Sequence, residues 1–74
     1  MSRIEIKSEI AGKVWKVEAQ IGDVLDADDT IIILESMKME IPVGAPLRCR
    51  LVELLVIEED QIAEDQLIAI GEKV

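Results

Sequence analysis

The stretch IIILESMKMEIP, residues 31–42, runs four aliphatic side chains up to a lysine, Lys38, that stands between Met37 and Met39. The aliphatic run at 31–34 reads as a buried strand. Methionine normally fills irregular gaps in a core, and lysine is among the residues least often buried. Two methionines bracketing one lysine therefore point to a lysine displayed in a fixed apolar frame. Alternation along an extended chain sets Met37 and Met39 on one face and Lys38 on the other. Glu35 and Glu40 flank the group, as solubilising charges or as groups that a partner recognises.

Outward from this stretch, short apolar runs alternate with turn and charge clusters. Ile4 and Ile6 alternate with Arg3, Glu5 and Lys7; KVWKVEAQI at 13–21 mixes alternation with a bulge near Trp15; LVELLVI at 51–57 and LIAI at 67–70 complete the strands. Gly12, the Gly22–Asp23 pair, the acids at 26–29, PVGAP at 42–46 and EED at 58–60 punctuate them. A helix is the competing reading for residues 51–66, which lack Gly and Pro, but the heptad spacing there is imperfect. The pattern predicts an all-β domain.

The chain also matches itself when shifted by half its length. Val14 falls on Leu51, Val17 on Leu54, Ala19 on Val56, Asp23 on Asp60, Leu25 on Ile62, Asp28 on Asp65, Ile31 on Ile68 and Ile33 on Ile70. Two copies are too few for a solenoid. They suit two similar antiparallel half-sheets facing each other across a pseudo-two-fold axis, each covering the other's apolar face. Residues 35–46 then link the halves, with Met37 and Lys38 at the tip of a hairpin.

Composition removes most functions from consideration. At 74 residues the chain is one domain, 1–74, near the lower limit for an aliphatic core, and Trp15 is its only aromatic residue, expected as a half-buried anchor. Sixteen acidic against eight basic residues, a net charge of -8, would repel phosphate backbones and anionic lipid, so neither nucleic acid nor a membrane is an expected partner. The acids read as a solvated surface. No basic and apolar leader opens the chain, and Cys49 has no second cysteine to pair with, which fits a cytoplasmic protein with Cys49 buried as a small apolar residue. The absence of histidine removes imidazole bases, nucleophilic triads and His-containing metal sites. Glu35 with Glu40 could act as an acid/base pair, but so short a chain cannot enclose a substrate. A Cu(I) site built from Met37, Met39 and Cys49 is a further alternative, although soft-metal sites gather more sulfur and imidazole than this chain owns.

ESMKME followed by Ala45–Pro46, together with GKVWKV from Gly12 and GDVL from Gly22, resembles the biotinyl/lipoyl attachment domains, in particular the biotin carboxyl carrier group. The resemblance covers nearly the whole chain. It implies a flattened barrel-sandwich hybrid of two pseudo-two-fold-related antiparallel half-sheets, with the attachment lysine on a hairpin tip. It implies covalent biotin on Lys38, flanked by Met37 and Met39 as recognition residues; Glu35 and Glu40 either serve the ligase as well or only solubilise the tip. A lipoyl domain would more usually carry Asp-Lys-Ala at the tip. The implied partners are a biotin protein ligase, a biotin carboxylase that carboxylates the ureido nitrogen with ATP and bicarbonate, and a carboxyltransferase. The domain itself would be a non-catalytic shuttle, monomeric when isolated. Chemistry agrees with the need for a ligase: exposed lysines are ammonium ions at neutral pH and do not acylate themselves selectively.

Several positions depart from the family pattern. Cys49 stands where Gly12 predicts glycine, Glu59 stands where Gly22 does, Asp28 and Asp65 occupy positions where glycine is common, and Ser36 replaces the more usual alanine. No insertion separates the early strands, so the protruding thumb of some acetyl-CoA carboxylase carriers is absent. That weakens an assignment to acetyl-CoA carboxylase and leaves propionyl-, methylcrotonyl-, pyruvate- or oxaloacetate-type systems open as parents.

Overall fold

A computed structural model describes residues 2–74, and every regular element in it is a strand: β1 (Arg3–Lys7), β2 (Gly12–Val17), β3 (Val24–Leu25), β4 (Thr30–Ser36), β5 (Met39–Gly44), β6 (Cys49–Leu54), β7 (Gln61–Ile62) and β8 (Leu67–Lys73). They form two four-stranded sheets, ordered β1-β8-β6-β3 and β5-β4-β2-β7, in which all pairings are antiparallel. The stretch weighed as a helix holds β6 and β7. β5 was hidden from the pattern because Pro42 and Gly44 punctuate it. As an edge strand it tolerates a residue with no N–H to donate.

The internal repeat is carried into the backbone. The first-half strands β1, β2, β3 and β4 reappear as β5, β6, β7 and β8, and each sheet takes two strands from each half. The halves are thus interleaved. The bulge anticipated near Trp15 lies between Val14 and Lys16, and its counterpart lies between Leu51 and Glu53. The turns answer one another as well: Gly22 N–H donates to Leu51 O at 2.7 Å, and Glu59 N–H donates to Val14 O at 2.8 Å.

The core lies between the sheets, built from Val14, Ile31, Ile32, Leu34, Leu51, Ile68 and Ile70, all nearly without exposure. Neighbours Ile31 and Ile32 are both buried because the register between β4 and β5 shifts there, which suspends strict alternation. Cys49 is buried as expected, and its place in the glycine position is balanced across the strand pair. Gly12 lies against Leu34, whereas Cys49 lies against Gly71, where an added Cβ would stand 2.9 Å from the Cys49 Sγ. Gly12 therefore opens a strand and permits close approach to the Glu35 carbonyl, rather than serving a turn.

Some of the acids do more than solubilise. Asp23 and Asp60 accept the N–H of Gln20 and Ile57 at 2.9 and 3.0 Å, and Asp29 accepts that of Asp26 at 2.9 Å, so each closes its own turn. Trp15 is 44% exposed, with the Lys16 ammonium 5.9 Å from its ring centre.

Glu59 takes φ +80°, beside +99° at Gly22, while Asp28 and Asp65 are also left-handed. A Cβ there costs roughly 1–2 kcal/mol. Glu59 also holds Lys13 in an ion pair at 2.8 Å, exposed to solvent and therefore weakened by screening. Glu59→Ala loses the pair and keeps the strain, whereas Glu59→Gly loses both. Urea titration should therefore place Glu59→Gly about 1 kcal/mol above Glu59→Ala, even though glycine frees the unfolded chain by about 0.4–1 kcal/mol. The opposite order would show that the turn carries no strain.

Candidate functional site

The β4–β5 hairpin brings the sequence motif to an exposed apex. Ser36 pairs with Met39 and Glu35 with Glu40, leaving Met37 and Lys38 as the two connecting residues. Their φ values are +51° and +67°, the positive pair that a two-residue type I′ hairpin turn requires. Asn-Gly is the usual choice for such a turn. Methionine and lysine occupy it at a cost of roughly 1–2 kcal/mol each, so these side chains are kept against the backbone's preference.

Strict alternation through the tip does not hold. β4 ends at Ser36 and β5 starts at Met39, so Met37 shares the turn with Lys38 and does not share a strand face with Met39. Both methionines are exposed, Met37 at 93% and Met39 at 63%, which removes them from the core. Lys38 is exposed and makes no ion pair among the described residues.

Glu35 and Glu40 face each other across the ladder, and Lys13 pairs with Glu35 from the other side. A row Lys13–Glu35–Glu40 thus crosses three strands below the tip. Like charges directly opposed repel, and Lys13 offsets part of that. The Lys13 ammonium is held above the ordinary lysine value, by its hydrogen bond to Glu59 first and by the Glu59 and Glu35 charges after it. Sequence reasoning missed Lys13, because its place beside Glu35 follows from strand register alone.

The three sulfurs considered for Cu(I) are not brought together. Cys49 is sealed in β6 opposite Lys73, while the methionines stand at the exposed hairpin tip. Among the described residues no cluster of His, Cys, Asp or Glu could hold a metal. A groove of about 330 Å³ opens between the β1 and β5 edges, walled by Ile10, Ile41 and Val43 among others; Lys38, Met37 and Met39 form no part of it. The tip lies outside this groove, with Met37, Lys38 and Met39 exposed to solvent.

Residues 3–70 match the family model described as "Biotin-requiring enzyme", the biotin/lipoyl model. The chain belongs to the biotin/lipoyl attachment family. It is 36% identical over 66 residues to the "biotinylated protein TB7.3 homolog" of Mycobacterium leprae, covering 89% of this chain and 93% of that protein. It is 30% identical over 67 residues to the urea amidolyase of Saccharomyces cerevisiae, spanning 90% of this chain but only 4% of that protein. Its fold superimposes on part of the urea carboxylase of Kluyveromyces lactis with a TM-score of 0.90 at 32% identity, covering 96% of this chain and 6% of that one. The all-β architecture of two pseudo-symmetric antiparallel sheets is thus the family fold.

If the tip is strained as its φ values indicate, replacing both residues by the pair the turn prefers should relieve it. The double variant Met37→Asn, Lys38→Gly is expected to raise stability by about 1 kcal/mol, after the entropy that glycine returns to the unfolded chain. A urea midpoint equal to or below the parent's would show the turn to be relaxed.

Proposed function

We propose that Lys38 is the biotin attachment residue of a biotin carboxyl carrier domain. The observation that carries this reading is the two-residue turn that presents Lys38 at the end of a rigid hairpin, with Met37 and Met39 exposed on either side. Bound biotin supplies a ureido nitrogen that accepts and gives up a carboxyl group. The protein's own part is mechanical. Lys38 Nζ forms the amide, as AMP leaves biotinyl-adenylate held by a biotin protein ligase. The β4–β5 ladder keeps the lysine away from the core, and the methionines give the ligase an apolar surface flanked by the Glu35 and Glu40 charges.

The domain is non-catalytic. It moves its arm between a biotin carboxylase and a carboxyltransferase, and tethering raises the local concentration of the carried group at each. The exposure of Met37, Lys38 and Met39 to solvent fits a residue presented to partner enzymes. Residues 1–74 act as one domain, monomeric when isolated, in the cytoplasm, where a single buried and unpaired Cys49 is at home. The urea-processing names among the relatives add urea to the acyl-CoA and oxo-acid acceptors considered for the parent enzyme. The biotin-named relatives favour biotin over a lipoyl group.

Incubation with a biotin ligase, ATP and biotin should add one biotin, mapped by peptide mass to Lys38. Lys38→Ala should take none while its stability changes by no more than about 0.5 kcal/mol, because the residue is exposed. Label elsewhere, or none on folded protein, would falsify the assignment. Met39→Asp should slow loading strongly in a domain that remains folded, since it puts a charge beside Glu40 where the ligase meets apolar surface. Unchanged ligase kinetics in that variant would mean that Met39 is not read.

A further inference from the structure

The described residues contain three sulfur atoms, and the fold treats them oppositely. Cys49 has no exposure, and burial pushes its thiol up, so little reactive thiolate is present. Met37 and Met39 are 93% and 63% exposed, pack against no core residue, and border the one lysine at the hairpin tip. In most small proteins methionine is core filler, shielded from oxidants and needed for stability. Here neither condition holds, so among the described sulfurs a dissolved oxidant reaches these two thioethers first and can alter them without disturbing the fold.

We infer that Met37 and Met39 form a reversible oxidation site that gates modification of Lys38, the oxidant being a peroxide. Each step transfers one oxygen: the peroxide O–O bond breaks, an S–O bond forms at the thioether, and hydrogen peroxide leaves as water. The sulfur loses two electrons and the peroxide gains them. The product sulfoxide is polar and chiral. A ligase surface shaped for an apolar thioether must then desolvate a strong hydrogen-bond acceptor, which opposes docking. Methionine sulfoxide reductases reverse the change, one enzyme for each epimer. The turn sharpens the effect at Met37, which shares the two-residue turn with Lys38 and has no neighbouring strand to turn it aside.

The inference rests on Lys38 being the biotinylated residue, and the test separates the two claims. Unloaded domain is treated with hydrogen peroxide, its oxygens are assigned by peptide mapping, and its loading by biotin ligase is timed against untreated domain. Oxygen is expected on Met37 and Met39 before Cys49, with an unchanged melting temperature. Loading should slow roughly tenfold or more and recover after treatment with both reductases. In the double variant Met37→Leu, Met39→Leu, whatever its own rate, peroxide-treated and untreated samples should load alike. Untreated parent domain that takes no biotin overturns the attachment assignment and the gate with it. Parent domain that loads equally fast with both methionines oxidised overturns the gate alone, as does oxidation of Cys49 first or an equal peroxide loss in the leucine variant.

Discussion

Neither half of this chain can bury its own apolar face. β1 and β3 lie in the sheet whose middle strands, β8 and β6, come from the second half, and β5 and β7 repay the arrangement on the other sheet. The turn at Gly22 is tied to Leu51 and the turn at Glu59 to Val14, so closing either half's turn requires the other half's strand. A small core without an aromatic residue is stabilised by being shared in this way. Such interleaving makes folding depend on contacts distant in sequence, which forms the structure as a unit and slowly for its size.

The pseudo-symmetry is kept where backbone hydrogen bonds demand it and relaxed where volume can be traded. Gly12 against Leu34 becomes Cys49 against Gly71, the larger side chain having changed strands while the pair still fits. Gly22 becomes Glu59 with the backbone still left-handed, and Lys13 takes up the carboxylate. Symmetry breaks outright at one place. The ladder end that Ser36 and Met39 close with a two-residue turn corresponds, in the other sheet, to Ser2 bonding with Lys73 near the chain ends. Lys38 therefore sits at the junction of the two repeats, in a turn that neither repeat needs for its core. A residue there can stand in solvent at little cost to packing.

Much of this could be read in the sequence. Five of the strands follow from alternation and β-branched runs, the bulge at Trp15 from a break in that alternation, the pseudo-symmetry from matched residues, and the lysine at a hairpin tip from its place between the copies. These features depend on neighbours along the chain and on which face a residue turns to solvent, and both are written locally. β3 and β7, with two residues each, leave no period to detect, and β5 hides behind Pro42. The acids Asp23, Asp29 and Asp60 look like surface charge until their turns are closed around them.

Only the tertiary structure decided which strands become neighbours. Periodicity says that a strand has an apolar face, not whose face covers it, so the exchange of strands between halves, the Lys13–Glu35–Glu40 row and the pairing of Cys49 with Gly71 were invisible beforehand. The conformation of the tip was likewise out of reach. Alternation assigned Met37 to a strand face, but the two-residue connection here is of type I′, with both residues at positive φ, and that geometry exists only once β4 and β5 have paired in register. The sequence determined that a lysine flanked by methionines would be displayed. The folded chain decided that Met37 and Lys38 share one strained turn, because a ladder's register is fixed by the whole core behind it.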